Sequence, residues 1–144
     1  MKNNSTTITI LILLFALFSC SSDNEERNTT ITAKINGTTK TFVNAMVSEQ
    51  VYEDYSDYIV LSNQSDDDTK KLSISLGKET TGPSSIFFIQ YKDGDQFYQA
   101  SGNEITTYIT ECSTTKIKGT FSGVLTNENS TTITITNGVI DITL

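Results

Sequence analysis

Histidine is absent from the 144 residues, and so is tryptophan. Without an imidazole, the Ser-His and Cys-His hydrolase arrangements lose their base, and histidine-ligated zinc or copper is excluded. Cysteine is scarce as well: the two are Cys20 and Cys112, too few for a thiolate metal cluster. There is one proline, yet from Thr29 onward no window carries an apolar stripe at helical spacing, so an α-helical fold is not indicated. Basic residues are outnumbered 10 to 17, for a net charge of −7. That balance argues against nucleic acid as a partner and against electrostatic attachment to anionic lipid. Oxygen chemistry is what remains.

One long apolar run is present, Ile8 to Phe18, preceded by Lys2 and followed by Ser19-Cys20. A charged start, a greasy middle and a small residue at the exit have the layout of a cleavable export signal. The run falls short of the about 20 apolar residues of a membrane span. Leu17-Phe18-Ser19-Cys20 resembles the lipobox of bacterial lipoproteins, in which the cysteine becomes the acylated first residue of the mature chain. The following Ser21-Ser22-Asp23-Asn24-Glu25-Glu26 resembles the serine-then-acidic tether of Bacteroidota lipoproteins. That resemblance implies the outer membrane and display on its outer face, with the periplasmic face as the alternative.

The chain then divides into a signal peptide (1–19), acylated Cys20 with an acidic tether (20–28) and one β domain (29–144). Lipid of the palmitate kind supplies the membrane contact that the charge does not. A domain of this size buries a core without disulfides. Cys112, left unpaired, reads as a small buried hydrophobe.

From Thr29 the dominant period is two. Thr29 to Asn36 sets Ile31, Ala33 and Ile35 on one face, and Asn36-Gly37 supplies the positive φ angles of a hairpin. A three-residue loop, Asn36 to Thr38, opposes Ile31 to Val43 and is preferred to a two-residue loop, which opposes Ala33 to Lys40. Asn44 to Tyr58 is the best single helix candidate, and suits an irregular connection into a strand Tyr58 to Ser62 equally well. Asn63 to Thr69 reads as an exposed turn. Leu72, Ile74 and Leu76 alternate along a half-buried strand ending at Gly77, and Lys78 to Ser85 connects onward. Ile86 to Tyr91, almost continuously apolar, suggests a strand covered on both sides. Lys92-Asp93-Gly94-Asp95 turns into the strand begun by Phe97-Tyr98, and Ile105 to Thr110 follows.

Near the C-terminus Ile117, Gly119, Phe121, Gly123 and Leu125 share a face, Thr126 to Ser130 turn, and Thr131 to Thr136 return. Asn137-Gly138 is expected to close a hairpin onto Val139 to Leu144, setting Ile135 against Ile140 and Ile133 against Ile142. About nine or ten short strands with frequent turn signals predict an all-β fold. An antiparallel β-sandwich is the first expectation and an open β-barrel the alternative. Ile31 to Gly37, Lys118 to Gly123 and Ile133 to Ile142, with the lipobox and tether, resemble a family of small Bacteroidota lipoproteins of unassigned activity. The resemblance carries no functional residues.

Asp66, Asp67 and Asp68 are weak calcium candidates: hard cations want several oxygens, but no glycine shapes a loop there and a solvated turn explains them. Asp93-Gly94-Asp95 reads likewise as a hairpin tip. No cofactor is expected. Glu104 and Glu111 are the first candidates for a glycoside-cleaving carboxylate pair, which must stand roughly 5 to 10 Å apart. Tyr52, Tyr55, Tyr58, Phe97 and Tyr98 form the candidate ligand surface, because flat apolar faces with polar tips suit sugar rings or a protein partner. The leading expectation is a lipid-anchored, non-enzymatic binding or accessory module at the outer-membrane surface. The alternative is a small extracellular carboxylate-dependent glycoside hydrolase.

Overall fold

A computed structural model describes residues 29–144; the expected signal peptide, Cys20 and the tether lie outside the described residues. Ten strands follow in order: β1 (Thr29–Ile35), β2 (Thr38–Val51), β3 (Ser56–Gln64), β4 (Asp67–Gly77), β5 (Gly82–Pro83), β6 (Ile86–Asp93), β7 (Gln96–Ser101), β8 (Ile105–Cys112), β9 (Lys116–Thr126) and β10 (Thr132–Thr143). One 3-10 turn, Gly102–Glu104, separates β7 from β8. All pairings are antiparallel, and eight of the strands close into a barrel. Closure joins the first strand to the last, from Thr29 opposite Ile142 to Ile35 opposite Ile135. β7 and β8 share one edge of β9, with Gln99 against Thr126 and then Ile105 against Gly123. β5 lies on the outer edge of β8.

The all-β expectation is therefore met by the barrel rather than by two packed sheets, and the barrel is closed. Alternation explains this: every long strand buries one face only, so a single curling sheet can enclose its own apolar side. β1 and β10 then satisfy each other's backbone groups, while the outer edge of β8 is covered by β5 only at Tyr108 and Ile109. The interior is filled. Ile31, Phe42, Val60, Leu72, Ile74, Leu76, Ile89, Ile109, Ile117, Leu125 and Ile135 are each 0 % exposed. Phe42 meets Tyr91 edge to face, with centroids 6.1 Å apart at 86°. Outward positions such as Thr106, Thr110, Thr120, Thr132, Thr134 and Thr136 are exposed. This polarity is opposite to that of a membrane-spanning barrel, whose outer face is an apolar band.

The strands alternate in direction, so the barrel has two rims. The near rim carries Thr29, Leu144, the β2–β3 hairpin and the β4–β5 loop; Leu144 N–H donates to Thr115 O there at 2.8 Å. The far rim carries the hairpins at Asn36-Gly37, Ser65-Asp66, Gly94-Asp95 and Asn127 to Thr131. A polar chain seals it: Tyr91 donates to Gln64 Oε1 at 3.1 Å, and Gln64 Nε2 donates to Asp66 Oδ1 at 2.6 Å. Burial pushes the Tyr91 phenol up to about 12.

Several local expectations change. The Asn36-Gly37 loop has two residues, so Ile35 opposes Thr38, Ala33 opposes Lys40 and Ile31 opposes Phe42. Phe42 thus fills the core, while Lys40 reaches the rim toward Asp66, 3.9 Å away. An inward-facing lysine is tolerated there because its stem can lie on apolar surface while the ammonium stays in water. Asn44 to Tyr58 is no helix: β2 runs to Val51, with a register shift between Val43 and Met46 where Asn44 takes φ 55. β6 is covered on one side only, since Phe87 is 43 % exposed. Asn137-Gly138 makes no hairpin. β10 continues through it, with a bulge between Ile135 and Gly138, and Ile135 opposes Gly123 while Ile140 opposes Gly119. Asparagine accepts the left-handed conformation in a bulge as readily as in a turn, and Asn137 adopts φ 51.

Thr107 points inward beside Phe121, and among the described residues its Oγ1 is the buried side-chain oxygen without a partner. Thr107→Val keeps the branched shape and removes the unsatisfied hydroxyl. A gain of about 1 kcal/mol is expected, seen as a rise of roughly 4 °C in the unfolding midpoint by circular dichroism. A fall would mean that the hydroxyl has a partner in solution.

Candidate functional site

The far rim uses its carboxylates for structure. Asp66 accepts the Gln64 amide, which holds its carboxyl below the ordinary value. Asp67 accepts the Thr69 hydroxyl at 2.6 Å and the Thr69 N–H at 3.1 Å, and Lys70 lies 3.7 Å away. The Thr69 bond lowers its carboxyl too. Asp68 is exposed, and Asp93 faces Lys70 at 3.3 Å. Among the described residues, no group of three or more His, Cys, Asp or Glu could hold a metal ion. Glu104 accepts the Ser101 N–H at 3.0 Å, while Glu111 stands exposed at a bulge near the other end of β8. That strand separates the two by about 20 Å, so the structure does not bring them together.

The five aromatics of the expected ligand surface do not share one face. Tyr52 and Tyr55 meet in the β2–β3 hairpin, stacked 4.6 Å apart at 22°. Tyr52 N–H donates to Tyr55 O at 2.8 Å, which fixes the tip. Tyr58 turns inward, 6 % exposed, and burial pushes its phenol up. Phe97 and Tyr98 belong to the far rim. Phe97 faces outward under Lys92, 5.5 Å from its centroid, and Tyr98 packs on the core. The alternation of β7 alone separates this last pair.

Next to Tyr55 the near rim holds a niche of about 440 Å³, lined by Tyr55, Ser56, Asp57, Lys78, Glu79 and Thr80 beside Gly77. It is built where β3 begins and β4 ends, with Asp57 directly opposite Gly77. The loop after Gly77 is pinned back: Lys78 N–H donates to Ser56 O at 3.0 Å and Gly77 N–H to Ser85 O at 3.1 Å. Thr80 Oγ1 donates to Gly77 O at 2.6 Å and folds over the place where a side chain at 77 would stand.

Asp57 is consequently 8 % exposed, and it is the charged side chain among the buried described residues. Its carboxylate has no hydrogen bond or ion pair with a described residue. Lys78 does not serve it: the ammonium donates to Glu49 Oε1 at 2.9 Å and lies 5.9 Å over the Tyr58 ring. This bond holds Glu49 below its usual value and raises Lys78.

Sequence pattern alone could not find Asp57, because alternation makes it an outward strand residue. Its burial comes from the loop that returns over it. Cys112 closes the same region from within, buried and free, its Sγ 3.8 Å from Gly77 O. Burial pushes its thiol up, which suits a packing role rather than a nucleophile. A second concavity, a groove of about 670 Å³ on the outer wall, is lined by Pro83, Tyr108, Thr120, Ser122, Asn137 and Val139 among others and has no acidic or basic side chain. No protein-family model, curated protein or solved structure matches the chain.

Proposed function

We propose that the chain is a lipid-anchored envelope lipoprotein of the outer membrane, whose barrel is a non-enzymatic binding module working through its near rim. The observation that carries this is Leu17-Phe18-Ser19-Cys20 at the end of an eleven-residue apolar run, Ile8 to Phe18, with a serine-then-acidic stretch behind it. Two features of the fold support it. The outer wall is rich in threonine and serine, as befits a body in water held by lipid rather than one embedded in a bilayer. The interior is filled with aliphatic side chains, so a ligand is met at the rim, where Tyr52 and Tyr55 are exposed and Asp57 lines the niche. Residues 21–28 can reach at most about 30 Å from Cys20 to Thr29, which keeps the near rim within a short distance of the anchored end.

The test is metabolic labelling with an alkyne-tagged fatty acid. The full chain should take up the label and sediment with membranes, and Cys20→Ala should lose both, since each buried CH2 contributes about 0.8 kcal/mol of membrane affinity. Label retained in Cys20→Ala would sink the reading. Protease treatment of intact cells separates the outer face from the periplasmic one.

A further inference from the structure

We propose that the near-rim niche binds an organic ammonium group, with Asp57 taking the charge and Tyr55 the adjoining hydrocarbon. This deepens the rim-binding reading and rests on it. A carboxylate set in a shielded niche attracts a cation more strongly than one in open water, and a cation that brings its own N–H donors pairs with it best. Asp57 is so placed: the residue is 8 % exposed and lines the niche, it has no hydrogen bond or ion pair with a described residue, and its oxygens are not among the sealed, partnerless atoms of the described residues.

The charges around it point the same way. Lys78, the cation at the niche, is neutralised by Glu49 at 2.9 Å, which leaves Asp57 and Glu79 as the unpaired charges lining it. Tyr55, 60 % exposed, offers a ring face at the mouth, and its stack on Tyr52 orders that ring before any ligand arrives. An aromatic face beside a carboxylate is favourable for a cation on a short apolar stem. Ser56 and Thr80 add hydroxyl groups nearby. A neutral sugar would leave the Asp57 charge unbalanced, and an anion would be repelled.

The probe is n-butylammonium, with n-butanol as its uncharged counterpart, titrated into the full chain in detergent micelles and followed by amide shifts in NMR. Butylammonium should shift the amides of residues 55–58 and 77–80 saturably, and butanol should not. Asp57→Asn should weaken binding at least tenfold, Tyr55→Ala by about threefold, and added salt should weaken it further. Micelles containing an aminolipid should compete with the amine if the natural source is a headgroup; competition or its absence assigns the source once amine binding is seen. Equal shifts from amine and alcohol, or shifts indifferent to Asp57→Asn, would overturn the proposal. Should Asp57→Asn fail to fold, Tyr55→Ala and Glu79→Gln on the exposed mouth carry the test, and unchanged affinity in both overturns it. A missing amine response leaves the fatty-acid labelling result untouched, so the two readings fail separately.

Discussion

Phe42→Ala should cost about 3 to 5 kcal/mol of unfolding free energy, the largest loss expected from any single truncation in this barrel. Phe42 is fully buried and meets Tyr91 edge to face, so the change removes both transfer energy and an aromatic pair. Collapse cannot refill the space easily, because the surrounding residues sit on strands whose register is fixed on both sides. Total stabilities of such domains are commonly about 5 to 15 kcal/mol, so the variant should be marginal. Urea unfolding followed by circular dichroism measures this directly. A loss under about 1 kcal/mol would mean that the far half of the barrel is not packed around this ring.

Gly138→Ala should cost about 3 kcal/mol, near the upper end for overpacking, although it adds a single methyl group. A Cβ there would lie 2.5 Å from Phe121 O and 2.7 Å from two carbons of the Phe121 ring. The backbone oxygen is tied into the β9–β10 ladder, and the ring is 2 % exposed inside the barrel. Neither can yield without moving the strand that closes the structure. Hydrogen exchange should then rise first along β1 and β10, the closing pair. Exchange that rises uniformly, or no loss of stability, would show that the bulge at Asn137 absorbs the methyl.

Much of the wall could be read from the residues. The inward set Ile117, Gly119, Phe121 and Leu125 was legible because two-residue alternation and burial are the same fact in a half-covered strand. Leu72, Ile74 and Leu76 were legible for that reason too. Closure was not, since it depends on β1 finding β10 across the whole length of the chain, and no local pattern encodes a partner so distant. Asn36-Gly37 and Asn137-Gly138 show the same limit at short range. One turns the chain and the other bulges it, and the difference lies in whether the flanking strands already have neighbours. Of the site, the tyrosines of the β2–β3 tip were legible as a type of surface. Asp57 was not, because a loop some twenty residues later covers it.

Thr29 and Leu144 stand at one rim, on or beside the two paired closing strands. A short peptide could therefore join them, with new ends opened at Gly94-Asp95, and every strand would keep its neighbours, since such exposed tips tolerate cutting. Moving the proposed leader and lipid-bearing Cys20 to those new ends would turn the barrel upside down on the proposed anchor. Binding that survives inversion would be indifferent to distance from the bilayer, whereas binding that vanishes would tie the tyrosine tip to the lipid plane.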